Sequence, residues 1–427
     1  MIDRWHKGKP FFNAPGTRLE HLFDENLKPS RVAAMQRVGC VRPADYARTR
    51  NDLGGAATGL SAYLTHGLVT LQEVLSDVLS RDHLTIDHKL VYEFGWREFY
   101  RHVWAHRGAG IFQSIHPGPL PDETYSPQLP LDIRQGRTGI PVIDESVRTL
   151  YATGTLHNHA RMWLASYVVH VRQVHWRAGA DWLVSHLLDG DLASNHLSWQ
   201  WVAGTGSHKP YLFNAENVAR FAPLRWHSFG TVIDRSYEEL EQMARTARPQ
   251  PPKGPVEAGR VDSAVEPPLL HSPPADLASA HATIANTDNL LVRGRTVWLV
   301  HPWALRPPPA DLPDGYVTIG VYPSEYHRDW PWSEARWRWV DAAMAELTPH
   351  RWFLDSESLG AALADASRVR TVADPHLPEW QADLEPAPAL FPLVERPCAS
   401  FSQWWSRATR GVEQAESLLS SHLHPCP

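Results

Sequence analysis

Asp189-Gly190-Asp191-Leu192-Ala193-Ser194-Asn195-His196-Leu197-Ser198-Trp199-Gln200-Trp201 gathers two carboxylates, an asparagine and two tryptophans in one short run. Buried without partners, these groups would be costly. Arg161 is the natural counter-charge for Asp189. A capped loop with an ion pair would account for the charges alone. Polar loops rich in tryptophan, however, commonly line ligand sites. The run lies among segments of helical apolar period: Val69 to Leu79, His88 to Val103, Val142 to Tyr151, His159 to Val174 and Ala180 to Leu188. Asp181 is placed to cap the last of these, and Gly154 and Gly190 sit where helices stop.

Further along, the pattern changes twice. From Arg248 to Pro274, eight prolines (Pro249, Pro251, Pro252, Pro255, Pro267, Pro268, Pro273, Pro274) fall among Ala, Gly and Ser. Proline at this density blocks helices and ladders, so an extended linker is expected. After Leu290, Thr296 to His301, Val317 to Val321, Arg351 to Leu354 and Val369 to Val372 read as short strands. Trp332 to Leu347 and Leu359 to Ala366 read as helices between them. Strands alternating with helices predict a parallel α/β sheet. The chain therefore divides into a mainly α domain at 1–243, a Pro-rich linker at 244–289 and a small α/β, Rossmann-like domain at 290–427.

Other stretches carry possible chemistry. On a helix, Glu93, Trp96 and Arg97 share a face; they suit a flat polar ligand or, more simply, a surface ion pair beside a half-buried indole. Leu53 to Ser61 (LGGAATGLS) offers backbone N–H groups and hydroxyls to a phosphate, but lacks the lysine of a Walker loop and the strand of a Rossmann fingerprint. His102/His106 and His157/His159 have ligand-like spacings without a third ligand, so no metal site is expected. Gly204-Thr205-Gly206 reads as a turn.

Composition sets outer bounds. Lys and Arg total 41 against 47 Asp and Glu, a net charge of −6, which excludes a uniformly basic nucleic-acid binder but not a local basic patch. Nineteen tryptophans fit large cores, stacking surfaces or redox-active side chains. Cys40, Cys398 and Cys426 are too far apart for a disulfide framework. No apolar run is long enough to span a membrane, and MIDRWHKGKPFF lacks a secretion signal's apolar stretch. A cytoplasmic protein is expected.

Six segments together resemble the FAD-binding domain of the DNA photolyase and cryptochrome family. They are TGLSAYLTHG (58–67), YEFGWREFYRH (92–102), GRTGIPVIDESVRTL (136–150), TGTLHNHARM (153–162), WRAGADWLVSHLLDGDLASNHLSWQW (176–201) and KPYLFN (209–214). The likeness runs from about Tyr46 to Phe221. It implies an all-helical domain holding FAD, and a photolyase-type lyase in which excited reduced flavin gives an electron to a cyclobutane pyrimidine dimer flipped out of DNA. Residue by residue, it implies that Tyr46, Thr58, Leu60, Ser61, Arg161, Asp189, Asp191 and Asn195 bind FAD, with Asn195 facing the reactive ring nitrogen. Glu93, Trp96, Asn158, Met162 and Trp201 would line the lesion pocket. Trp199 and Trp176 would begin a tryptophan electron chain.

The likeness has departures. Glu123 stands where the third tryptophan of that chain belongs, with Tyr125 two residues away. His159 replaces an arginine that helps hold DNA, and His196-Leu197-Ser198 replaces a glycine-rich turn. The family's α/β antenna domain normally precedes the helical one. Here Val297-Trp298-Leu299-Val300 resembles its first strand and Ser400 to Trp405 its late aromatic segment. The C-terminal unit is either a relocated, shortened antenna domain or an unrelated α/β appendage, and no antenna chromophore is assigned. The partner expected is dimer-containing DNA. The alternative is a cryptochrome-like blue-light photoreceptor without repair activity.

Overall fold

The computed structural model describes residues 27–248, 264–277 and 289–420. The expected leader reading, Cys426 and the prolines at 249–255 lie outside the described residues.

The helices of the first half start and stop where side chains can satisfy their free backbone ends. Thr70 and Glu73 form a capping box for Leu71–Leu79. Pro141–Thr153 ends on Gly154, whose φ of 64° only glycine adopts without strain. Five helices build the site. They are α1 (Ser61–Thr65), α2 (Lys89–Arg107), α3 (Asn158–Ser166), α4 (Trp176–His186) and α5 (Leu192–Ala203).

Two expectations change here. The run expected as one helix to Val174 leaves the α form after Ser166 in a π turn over Tyr167–Val171. Helix α4 begins at Trp176, four residues before the expected start of its apolar run, because the His175 ring accepts the Arg177 N–H at 3.2 Å and caps it. Asp181 is therefore an interior residue of α4, not its cap.

The second half is a five-stranded parallel sheet. Its strands are β1 (Thr296–Val300), β2 (Val317–Pro323), β3 (Arg351–Leu354), β4 (Arg368–Val372) and β5 (Asp383–Glu385). Their spatial order is β3-β2-β1-β4-β5, with Val297 opposite Val317 and Val369. Four strands were legible as apolar runs; edge strand β5 was not. Helix α6 (Glu334–Ala345) follows a two-residue strand, Trp332–Ser333, so it starts later than expected. Ser356–Ala362 is likewise shifted a little earlier than the expected 359–366.

The pleat of β1 joins two cores. Val297 and Leu299 point into a cluster with Ile319, Val321, Trp352 and Leu359. Trp298 and Val300 point the other way, into one continuous cluster with Leu60, Val91 and Phe99 of the helical half. The α/β unit is thus fused to the helical domain through a shared core. Helix α7 (Phe401–Ala408) packs on α2, with Phe401 lying flat on Trp96 at 4.0 Å and 9°.

The end of the linker is extended, as its prolines dictate, and both halves hold it. Leu269–Leu270 pairs antiparallel with Trp332–Ser333. Glu266 accepts from Trp182 Nε1 at 3.1 Å and pairs with Arg134. No helix among the described residues is long and apolar enough to cross a membrane.

Candidate functional site

Helices α1, α2, α3 and α5 wall a cavity lined by Ser61, Glu93, Trp96, Arg97, Tyr100, Asn158, Arg161, Met162, Asp189, Asp191, Ser194, Asn195 and Trp199. Sequence positions more than a hundred residues apart meet here because α5 crosses both α2 and α3.

Arg161 Nη2 donates to both oxygens of Asp189 at 2.9 Å, and its Nε donates to the Leu156 carbonyl at 2.8 Å. The guanidinium is thereby held at the cavity wall, with its other amino group uncommitted among the described residues. Asn195 Nδ2 donates to the Ala180 carbonyl at 2.9 Å. That contact fixes the amide orientation, since only the nitrogen can serve a carbonyl. Its oxygen remains as an acceptor. Trp199 follows Asn195 by one turn on α5, and its ring covers Gly179 so closely that a Cβ there would overlap it.

Asp191 lines the cavity and has structural partners as well. Its carboxylate caps α5 by accepting the Ser194 N–H at 2.8 Å and pairs with Arg101 at 2.9 Å. Arg101 also reaches Asp374 of the α/β half at 2.6 Å. His376 Nε2 accepts the Leu192 N–H at 3.3 Å, which leaves its Nδ1 to donate to Asp374 at 2.6 Å. Burial by itself would raise both carboxyls. The adjacent Arg101 guanidinium and His376 outweigh it and hold both far below the usual range.

Other expected residues sit elsewhere. Leu60 is wholly buried in the core, Thr58 is half-buried in the preceding loop, and Tyr46 packs against that core; none lines the cavity. A leucine side chain at the start of α1 gains more from the apolar cluster than from a polar cavity. Trp201 is 37% exposed, outside the cavity lining, and stacked on Tyr211 at 5.5 Å. Glu93 lines the cavity but is paired with Arg50 at 3.1 Å; burial raises its pKa and Arg50 opposes the shift. His159, read as a replacement for a DNA-holding arginine, is a buried ring whose Nδ1 lies 2.8 Å from the Asn51 carbonyl. Trp176 lies behind the cavity, 2% exposed, with Nε1 donating to Ser114 Oγ at 2.9 Å.

The donor set fits FAD. Ser194 Oγ is buried at the cavity with no protein partner. Arg97, which lines the cavity with Ser61, donates through Nη2 to Thr65 Oγ1 at 2.7 Å. A cation and hydroxyls suit a diphosphate; an amide, a guanidinium and indoles suit a flat heterocycle. Arg97 shares a visible face with Glu93 and Trp96. Arg101, one turn on, carries no local signal of its link to Asp374.

Residues 90–272 match the family described as the FAD binding domain of DNA photolyase. A deoxyribodipyrimidine photo-lyase of Synechococcus sp. is 32% identical over 238 residues, covering 51% of this chain and 47% of that protein. A cryptochrome DASH of Gloeobacter violaceus is 31% identical over 169 residues, 38% of this chain and 34% of that one. A solved Synechocystis cryptochrome shares 28% identity over 48% of this chain and 46% of its own, with a TM-score of 0.43. The chain spans about half the length of the curated relatives it matches.

Proposed function

We propose that this protein, whose residues 90–272 match the FAD binding domain of DNA photolyase, is a blue-light-driven flavoprotein of photolyase type that repairs cyclobutane pyrimidine dimers in DNA. One observation carries the repair reading. Glu93, Trp96, Asn158 and Met162, four of the five residues that would meet a lesion, line the same cavity as Arg161, Asp189, Asn195 and Trp199. A flipped base and a flavin would share one dry space.

FAD, when bound, supplies light absorption and one-electron chemistry. The protein's residues do the rest. Asn195 presents its side-chain oxygen as an acceptor, and Arg161, steadied by Asp189, presents a fixed cation. Arg97 and Ser61 meet the diphosphate end. Trp96 gives a flipped base an apolar surface, and Glu93 accepts a hydrogen bond from its polar edge. Trp199 and Trp176 form the start of an electron path away from the cavity.

A second reading, a photoreceptor without repair activity, draws support from two features. The side chain at 159 is buried and so cannot hold DNA, and the whole chain is acidic. The two readings separate in one experiment. Protein with chemically reduced flavin is mixed with dimer-containing single-stranded or duplex DNA and exposed to near-ultraviolet light. Loss of dimers supports repair; intact dimers in both DNAs, with flavin bound, favour the photoreceptor.

A further inference from the structure

Trp199 and Trp176 are both 2% exposed, so an electron hole left on either must be refilled by a group that reaches solvent. They lie close together. Trp199 covers Gly179, and Gly179 is one helical turn from Trp176 on α4. Glu123, at the position where a third tryptophan was expected, is a carboxylate on a short 3₁₀ turn and is not oxidised under such conditions.

Among the described residues, two aromatic routes lead on from Trp176. One passes His175, 5.7 Å away, to Tyr125, a further 6.3 Å. Tyr125 is 8% exposed, and burial pushes its phenol up to about 12. Tyrosine oxidation requires the phenolic proton to leave, and the Tyr125 hydroxyl is engaged with the Leu120 backbone, which is not a base. The other route passes His196, 6.4 Å from Trp176 and 5.3 Å from Trp330. Trp330 is half-buried, so it reaches water, and it comes from the α/β half of the chain. It is wedged between His196, Phe112 at 5.1 Å and the Arg177 guanidinium at 5.3 Å. Arg177 would oppose a positive charge on the indole. Asp181 answers it: its carboxylate lies 2.5 Å from Arg177 Nε and 2.9 Å from His196 Nε2, beside the path.

We infer that Trp330 is the terminal electron donor for the light-excited flavin, refilling Trp176 across the His196 ring. Trp199 gives one electron to excited oxidised FAD, Trp176 restores Trp199, and Trp330 restores Trp176. The indole cation on Trp330 then loses its N–H proton to water or takes an electron from a thiol in solution. The α/β half would thus complete the electron path of the helical half. This rests on the light-driven reading above.

The test uses full-length holoprotein, with flavin content measured first. Under blue light with a thiol reductant, Trp330→Phe is expected to slow flavin bleaching at least tenfold, Trp330→Tyr to recover part of the rate, and Tyr125→Phe to match wild type. Independently, wild type illuminated in air without reductant should gain oxygen at Trp330 by peptide mass spectrometry, and Trp199→Phe should not. Wild-type bleaching that needs Trp199 but proceeds unchanged in Trp330→Phe, without oxidation at Trp330, overturns the inference and leaves the light-driven reading standing. Flavin-loaded wild type that does not bleach overturns both.

Discussion

Arg336, wholly buried in the α/β half, donates through Nη2 to the carbonyl oxygen of Gly190 at 2.6 Å. Its Nη1 donates to the Val184 carbonyl at 3.1 Å, and its guanidinium lies 4.1 Å from the Trp332 ring centre. A Cβ at residue 190 would collide with that guanidinium, so glycine is the residue that admits it. The turn carrying Asp189 and Asp191 is therefore set by a side chain nearly 150 residues downstream.

Arg336→Met removes both donors while keeping much of the stem. Each orphaned carbonyl then costs about 1–3 kcal/mol. The expected outcome is a lower thermal midpoint and weaker FAD retention together. Arg336→Lys keeps the charge but not the fork, and should recover little of either. Unchanged flavin content in a folded Arg336→Met protein, read by absorbance after gel filtration, would show that the turn holds itself.

The Arg101, Asp191, Asp374 and His376 cluster makes a sharper stability test. Asp374→Asn leaves Arg101 half-paired and takes the acceptor charge from His376. Breaking such a buried pair costs roughly 3–5 kcal/mol. Both carboxyls have folded pKa values below their unfolded ones. Their stabilisation is therefore present above the unfolded pKa near 4 and is lost only as pH falls toward the folded values. Chemical denaturation of wild type and Asp374→Asn should thus differ by a constant amount from neutral pH down to about 5, and converge in stronger acid.

Glu98 runs the other way. It accepts the N–H groups of Leu390 at 2.5 Å and Phe391 at 3.1 Å, tying α2 to the last coil. Burial nonetheless pushes its carboxyl up to about 7, with those two N–H groups pulling against the shift. Its folded pKa lies above the unfolded value, so the favourable neutral form is fully present below about 4.5 and its contribution is lost as pH rises through about 7. Thermal unfolding of wild type relative to Glu98→Gln should decline across that window. Buried histidines such as His301, pushed down to about 4 by burial, gain in the same window, but they cancel in the difference. A pH-independent difference would mean that Glu98 stays ionised.

Much of this architecture is legible in the residues, and the reasons for the exceptions are physical. The two central strands, β1 and β2, announce themselves because strands buried on both faces are continuous apolar runs, Val297-Trp298-Leu299-Val300 being the clearest. Asp383-Leu384-Glu385 pairs at an edge on one side alone and needs no such run. Asn195 and Trp199 were readable because both fall in one polar, tryptophan-rich run that carries the family resemblance. Arg101 with Asp374, and Arg336 with Gly190, were not, because each joins two domains across separations of 273 and 146 residues and neither side carries a local pattern. Trp201, two residues beyond Trp199 on the same helix, is turned to the surface and onto Tyr211.

Gly179 tests the tryptophan pair without touching either indole. Gly179→Ala places a methyl group inside the space of the Trp199 ring. Overpacking of this kind costs about 1–3 kcal/mol, and the ring must move away from α4. A lower thermal midpoint and slower blue-light bleaching are expected together, with FAD still bound. Loss of stability with the wild-type bleaching rate would show that electron transfer tolerates the shift.

Trp96 decides whether the cavity serves a lesion. Its ring has Phe401 flat against one face, so Trp96→Ala removes both a stacking platform and part of the seat of α7. Base stacking on an aromatic side chain is worth about 1–3 kcal/mol, so binding of dimer-containing DNA should weaken roughly ten- to hundredfold. Trp96→Phe keeps an aromatic ring for both neighbours and should retain the fold with a smaller loss. Phe401→Leu separates the two roles. It loosens α7 while sparing the indole, so it should lower thermal stability more than lesion affinity. Binding is measured by fluorescence anisotropy with flavin-loaded protein over a range of salt, because phosphate contacts weaken with salt while stacking does not. Equal affinity for dimer-containing and undamaged DNA in wild type, unaltered by Trp96→Ala, would remove the lesion from this cavity and leave Trp96 as the platform on which the C-terminal helix rests.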